Sequence, residues 1–305
     1  MAASAAAYST RRSRVQGAGL ERALPYLLLA PALLLILAVV VYPLIYGVQQ
    51  SFLNFRFGHA VGNVGLDNYR QLWSDPAFTQ ALWVTLKFVT LAVALETIFG
   101  LGLALLVASE VPFAKGARLI FIVPMIVTPI VVGIVFRLIY ASDVGLLTTL
   151  RTDIFGSGQV FILDKGWSAF LGLVALDVWE WTPLMFLILL AGIQSLPVEP
   201  FEAARVDGAG SWRVFLDHTL PMLSPILAVA IALRTIDAFT TFDQVFVLTK
   251  GGPGTSTQLI SIYGYNTAFK FDEFGYGTAM LLTVALMVLA FAAITVRLIR
   301  RQATA

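Results

Sequence analysis

Hydrophobic positions along this 305-residue chain fall in long runs, not in the alternating or 3.6-residue stripes of a soluble fold. A helix that crosses a bilayer needs about 20 mostly apolar residues. Six stretches meet that length: Leu24–Val48, Ala81–Ala108, a third near Ala117–Ala141, Trp167–Gln194, Pro221–Leu248 and Phe274–Ile299. The second carries Lys87 and Glu96, and the fourth Asp177 and Glu180, so these two are less uniformly apolar. The pattern predicts an all-α integral membrane protein of about six transmembrane helices. Residues 1–22 form a basic tail, 23–301 the membrane domain and 302–305 a short C-terminal tail. The run after the tail is too long for a signal-peptide core and lacks a clear small-residue cleavage site, so it reads as a retained first span.

Composition agrees. The chain is 58% hydrophobic and 12% charged, against about 25% charged for a soluble domain. A net charge of +2 is too small to point to nucleic acid, and with no cysteine there are no disulfides or thiolate sites. His59 and His218 are too far apart in sequence for a zinc-protease pair, so no metal is expected. With the N-terminus inside, eleven of the twenty Lys and Arg residues lie in the cytoplasm and six outside, the other three falling within spans. The positive-inside rule therefore predicts cytoplasmic termini.

One connector stands apart. The inside segment around 195–221, with the sequence LPVEPFEAARVDGAGSWRVFLDHTLP over 196–221, is long, polar and rich in helix formers. Pro197 and Pro200 suit a helix start, Glu199 and Glu202 complement the dipole of its first turn, and Phe201, Ala204 and Val206 are its candidate apolar contacts. Gly208 suits a left-handed terminator. Ser211 is positioned to cap a second short helix, closed by Leu220–Pro221. The expected element is a helix–turn–helix along the inner membrane face.

Glu202, Ala203, Ala204 and Gly208, followed by Leu220–Pro221, resemble the EAA loop of ABC importer permeases, whose pattern is EAA-x3-G-x9-I-x-LP. His218 stands where the pattern has isoleucine. Asp207-Gly208-Ala209 is similar to the DGA of the sugar-transporting branch. So are Gly65-Leu66-Asp67-Asn68-Tyr69, Phe242-Asp243, Leu248-Thr249, Gly251-Gly252-Pro253-Gly254 and Phe274-Gly275-Tyr276-Gly277. The resemblance implies a carbohydrate permease of the maltose type in a bacterial or archaeal inner membrane, whose EAA loop docks on an ATPase. Docking would fall to Glu202, Ala203, Ala204, Asp207 and Gly208. The implied partners are a second permease, two ATP-binding subunits and a substrate-binding protein, with ATP and Mg in the partners and no cofactor in this chain.

Ionisable groups at membrane depth are costly and are functional candidates by default. Asp177, Glu180, Arg234, Asp237 and Asp243 are such groups, with Trp179, Trp181, Phe239, Thr240 and Thr241 nearby. Aromatic faces and polar groups together suit a sugar. The candidate substrate path is therefore Asp177, Trp179, Glu180, Trp181, Arg234, Asp237, Thr240 and Asp243. The same pattern fits a structural Arg234–Asp237 pair at a permease–permease interface, with the tryptophans in an interfacial belt. Gly100, Ala104 and Ala108 form a small-residue face for helix packing. The glycines at 251, 252 and 254 do not form a Walker A loop, since no lysine precedes Ser or Thr. Polyol or glycerophosphodiester import is the alternative within the family. A partner-independent secondary transporter would leave the EAA-like loop unexplained, and an intramembrane enzyme would need a clustered nucleophile and base that His59 and His218 do not supply.

Overall fold

The computed structural model describes residues 24–56, 58–108, 121–156 and 158–303. The basic tail, the positions 109–120 that hold Lys115 and Arg118, and the last two residues lie outside the described residues. Five described helices are long and apolar enough to span a membrane: α1 (Leu24–Gln50), α3 (Pro76–Ala108), α6 (Gly166–Gln194), α8 (Ser211–Phe239) and the stretch Phe274–Arg297 of α11 (Phe274–Ala303). Between α1 and α3 stand a hairpin, β1 (Leu53–Arg56) with β2 (His59–Asn63), and a short helix α2 (Asp67–Ser74). The remaining elements are α4 (Pro129–Ile139), α5 (Leu146–Phe155), α7 (Glu199–Val206), α9 (Asp243–Leu248) and α10 (Ile260–Tyr265), which widens into a π turn over Asn266–Lys270.

Three expectations need correcting. The third stretch is described only from 121; it is helical over 121–126, breaks at Val127–Thr128 and resumes as α4, too short to count as a long span. Pro129 explains the break, because it forces the preceding residue into extended backbone, and Thr128 has φ −65° and ψ 139°. The fifth span ends at Phe239, not at Leu248. Thr240 turns its hydroxyl back onto the Asp237 carbonyl at 2.8 Å, an alternative to helical bonding, and α9 starts afresh at Asp243 to pack on α4. Lastly, Leu220–Pro221 closes no helix. A π turn over Phe215–Thr219 makes Ser211–Phe239 continuous, and its wider girth accommodates a proline ring that has no N–H to donate.

The second span begins earlier than its hydropathy, at Pro76, because the Asp75 carboxylate accepts the Ala77 N–H at 2.8 Å. The same carboxylate accepts the hydroxyls of Tyr263 (2.8 Å) and Tyr276 (2.6 Å), bracing α3, α10 and α11 together.

The core is built on α3 against α6, with α8 laid over both. Gly100 makes the first contact possible: a Cβ there would stand 2.8 Å from Met185 Cβ and 2.9 Å from the Phe186 nitrogen. Ala104, one turn on, is fully buried among Met185, Phe186, Leu189, Leu190 and Leu223. The opposite case is α1, whose window has no buried residue; Leu27 and Leu34 are exposed at 71% and 65%. A helix that is apolar all round and unburied by its own chain is suited to hydrocarbon.

Candidate functional site

The connector after α6 folds as a short helix followed by a tight turn. Pro200 sits in the first turn of α7, with Glu199 and Glu202 where the helix dipole favours negative charge. The helix stops in a Schellman motif: the Ala209 N–H donates to the Ala204 carbonyl (2.9 Å) and the Gly208 N–H to the Arg205 carbonyl (3.1 Å), with Gly208 at φ +77°. Ala204 is buried, while Glu202, Ala203, Asp207 and Gly208 are exposed. Val206 is 88% exposed, so it is not the core contact expected of it, and Trp212 is exposed at 72%. Apolar side chains thus project from an otherwise polar turn. Ser211 does not cap; Gly210 occupies that position, without a side-chain bond. From Ser211 the chain runs directly into α8.

A charge cluster lies between α3, α6 and α8. The Arg234 side chain is fully buried. Its Nη2 donates to Asp177 Oδ2 (2.5 Å) and to Glu96 Oε1 (3.1 Å), and its Nη1 donates to Asp237 Oδ2 (2.9 Å). Its Nε stands 2.7 Å from Glu96 Oε2, a close ion pair though not aligned as a hydrogen bond. The Trp181 ring covers the guanidinium, with its centroid 5.2 Å from Cζ. Gln244 Nε2, from α9, donates to Asp177 Oδ1 at 2.9 Å. Glu96 and Asp177 are fully buried, whereas the Asp237 side chain is 49% exposed. Glu180 is buried too, and neither of its oxygens has a hydrogen-bond partner among the described residues.

The structure therefore joins Asp177, Arg234, Asp237 and Trp181 and leaves four candidates, Glu180, Trp179, Thr240 and Asp243, outside these contacts. Trp179 faces away from the cluster, packs on Phe136 at 5.3 Å, and lines an apolar cavity of about 840 Å3 between α3 and α6. Thr240 and Asp243 are exposed, at the end of α8 and the start of α9, beside Asp237. Two cluster members lie off the candidate path. Glu96 shows in the sequence only as a charge misplaced in an apolar run, and Gln244 gives no signal, since one amide in a polar–apolar stretch is unremarkable.

Comparison with known proteins agrees with this architecture. A solved bacterial ABC transporter for import of the acidic polysaccharide alginate superposes with a TM-score of 0.80 at 22% identity, over 94% of this chain and 98% of that one. The sulfoquinovosyl glycerol transport system permease protein SmoG of Agrobacterium fabrum is 34% identical over 92% of each chain. The trehalose/maltose transport system permease protein MalF of Thermococcus litoralis is 36% identical over 89% of this chain and 92% of its own. Residues 97–304 match the family described as binding-protein-dependent transport system inner membrane component. With more than half its length inside that match and relatives above 30% identity along nearly all of it, the chain belongs to the family of binding-protein-dependent transport system inner membrane components.

Proposed function

We propose that this chain is the carbohydrate-translocating subunit of an ABC importer, working by alternating access. A substrate-binding protein delivers the solute, a second permease shares the path, and two ATP-binding subunits, which hold ATP and Mg, drive the cycle. The termini face the cytoplasm, as the charge distribution favours. The observation that carries the reading is the lever: a short exposed helix, sealed by a left-handed glycine and continuous within a few residues with a membrane-spanning helix. Glu202, Ala203, Asp207 and Gly208 form its docking surface, held from beneath by the buried Ala204, and the exposed Val206 and Trp212 add apolar area. Force applied to α7 enters α8 with little chain between to absorb it.

The solute class rests on sugar-transporting relatives and on the groups free to meet a solute. Asp237, Thr240 and Asp243 are exposed together, a hydroxyl between two carboxylates that suits a polyhydroxylated molecule. Arg234, the basic residue that would favour a phosphodiester, is buried and already paired with three carboxylates. Asp177 and Glu180 take part only if the cluster opens during transport.

The test is reconstitution of the chain with its co-purifying subunits in proteoliposomes, followed by a solute screen for stimulated ATP hydrolysis. Sugars are expected to stimulate it, and Glu202→Lys is expected to leave basal hydrolysis while abolishing uptake. Tight coupling in Glu202→Lys, or stimulation by non-carbohydrate solutes alone, refutes the proposal.

A further inference from the structure

We propose that the cavity between the β1–β2 hairpin, α2 and the start of α11 is a carbohydrate subsite on the outer face, joined to Asp243 by a strip of aromatic rings. The inference rests on the carbohydrate reading above and adds a place where sugar is held before it reaches the middle of the membrane.

The cavity measures about 430 Å3, within the range of small-molecule sites. Two of its polar residues build the frame. Asn68 Nδ2 donates to the carbonyls of Ser51 (2.8 Å) and Leu53 (3.1 Å), and Asp272 accepts the Gly58 N–H on both oxygens, at 2.9 and 2.7 Å. Three more polar side chains, Asn54, Gln71 and Glu273, are exposed and make no hydrogen bond within the described residues. The rings of Phe55, Phe271 and Tyr276 complete the lining. Free amides and a carboxylate beside aromatic rings match the two faces of a pyranose, hydroxyls at the rim and C–H bonds on the flat. Lipid tails would leave those three polar groups unsatisfied, which is costly in hydrocarbon.

The rings do not stop at the cavity. Phe55 packs on Phe274 at 5.3 Å, Phe274 on Phe269 at 5.8 Å, and Phe269 on Tyr265 at 5.2 Å. Tyr265 then meets Phe242 at 5.2 Å and Phe246 at 5.5 Å. The strip runs along α10 from the hairpin to α9, where Phe242 is bonded to Asp243 in the chain. Phe269 is 65% exposed, as is Phe271 in the cavity, so the strip offers ring surface to a passing solute. Stacking of this kind holds sugars without demanding one sequence of hydroxyls, and so suits passage rather than capture.

The test uses the full chain assembled with its partner subunits in nanodiscs. Saturation-transfer NMR is recorded with maltose, trehalose, maltotriose, sulfoquinovosyl glycerol and an alginate oligosaccharide, and uptake of each is measured in proteoliposomes. The expected result is transfer to at least one imported sugar, weakened about tenfold by Gln71→Ala/Glu273→Ala through loss of two hydrogen-bonding groups and also reduced by Phe271→Ala. These positions are exposed, so the variants fold. Asp237→Ala should impair uptake and leave the transfer signal intact. Undiminished transfer in both cavity variants, or no transfer to a sugar that is imported, overturns the subsite and leaves the carbohydrate reading standing. A complex that imports none of these sugars overturns both.

Discussion

Removing Arg234 should be the most damaging single change to stability in the membrane core, and the geometry fixes the order of damage among its partners. Breaking a buried ion pair by deleting one member costs about 3–5 kcal/mol, because a buried charge is left uncompensated. Arg234→Met keeps most of the volume and does this to two carboxylates at once. Glu96 loses Arg234 from both of its oxygens and is left facing only the Asp177 carboxyl group. Asp177 retains the amide of Gln244 at 2.9 Å. Asp237 is half exposed, so water replaces the guanidinium there; Asp237→Ala should cost no more than about 1 kcal/mol. Replacing the whole buried set should be far milder than breaking it, so Arg234→Met/Glu96→Gln/Asp177→Asn should recover most of the loss. Denaturant titration of the detergent-purified protein, followed by intrinsic fluorescence, measures all three. The reasoning is refuted if Arg234→Met costs no more than Asp237→Ala, or if the triple variant is as unstable as the single one.

Gly208→Ala should loosen the lever by about 1–2 kcal/mol through backbone strain alone, since a Cβ there meets nothing within 4 Å; Gly208→Asn, which tolerates the left-handed region, should restore the ratio of uptake to ATP hydrolysis. Gly100→Ala should destabilise by about 1–3 kcal/mol through overpacking against α6, whereas Gly102→Ala, with open space around it, should be neutral or slightly stabilising; thermal melts of the two purified variants decide this. The Asp75 carboxylate feels burial, which raises its pKa, but the hydroxyls of Tyr276 and Tyr263 and the amides of Ala77 and Phe78 outweigh it and hold the group below its ordinary 3.8. Because the folded value is the lower one, this brace is at full strength above about pH 4 and is lost as the pH falls through the folded value. Wild type should therefore lose stability by more than Asp75→Asn does as the pH falls below about 4 (melts at each pH), and equal slopes would exclude the brace.

Much of the fold was legible because a bilayer demands unbroken apolar length, and α1, α3, α6 and α11 supply it. The boundaries that failed share a cause: hydropathy does not register backbone geometry. Thr240, Thr241 and Phe242 are as acceptable to a span as to a loop, and only the bond from Thr240 to the Asp237 carbonyl shows the break. Pro221 reads as a terminator unless a π turn precedes it, and hydropathy carries no sign of that turn. Within the site, the three-residue spacing of Arg234 and Asp237 gave their pairing, but Glu96 is 138 positions from Arg234, and no local pattern connects them. The tryptophans were separable in principle. Two residues apart on a helix, they point about 200° from one another; Trp181, a full turn from Asp177, had to be the one beside the charge.

The lever and the charge cluster belong to one mechanical element. Helix α8 holds 29 residues, about 43 Å at 1.5 Å per residue. Its N-terminal end follows α7 by a short turn, and its last third carries Arg234, tied to Glu96 on α3 and to Asp177 on α6. A displacement of the lever along that rod cannot leave α3 and α6 behind without separating buried charges, which costs more than moving the three helices together. Compliance can enter at the π turn over Phe215–Thr219, near the start of that rod, where the helix departs from its regular bonding. On the proposed coupling, the cluster would serve transport even if no solute touched Arg234: it makes three spans one body, whose motion would carry the exposed Asp237, Thr240 and Asp243 past the solute.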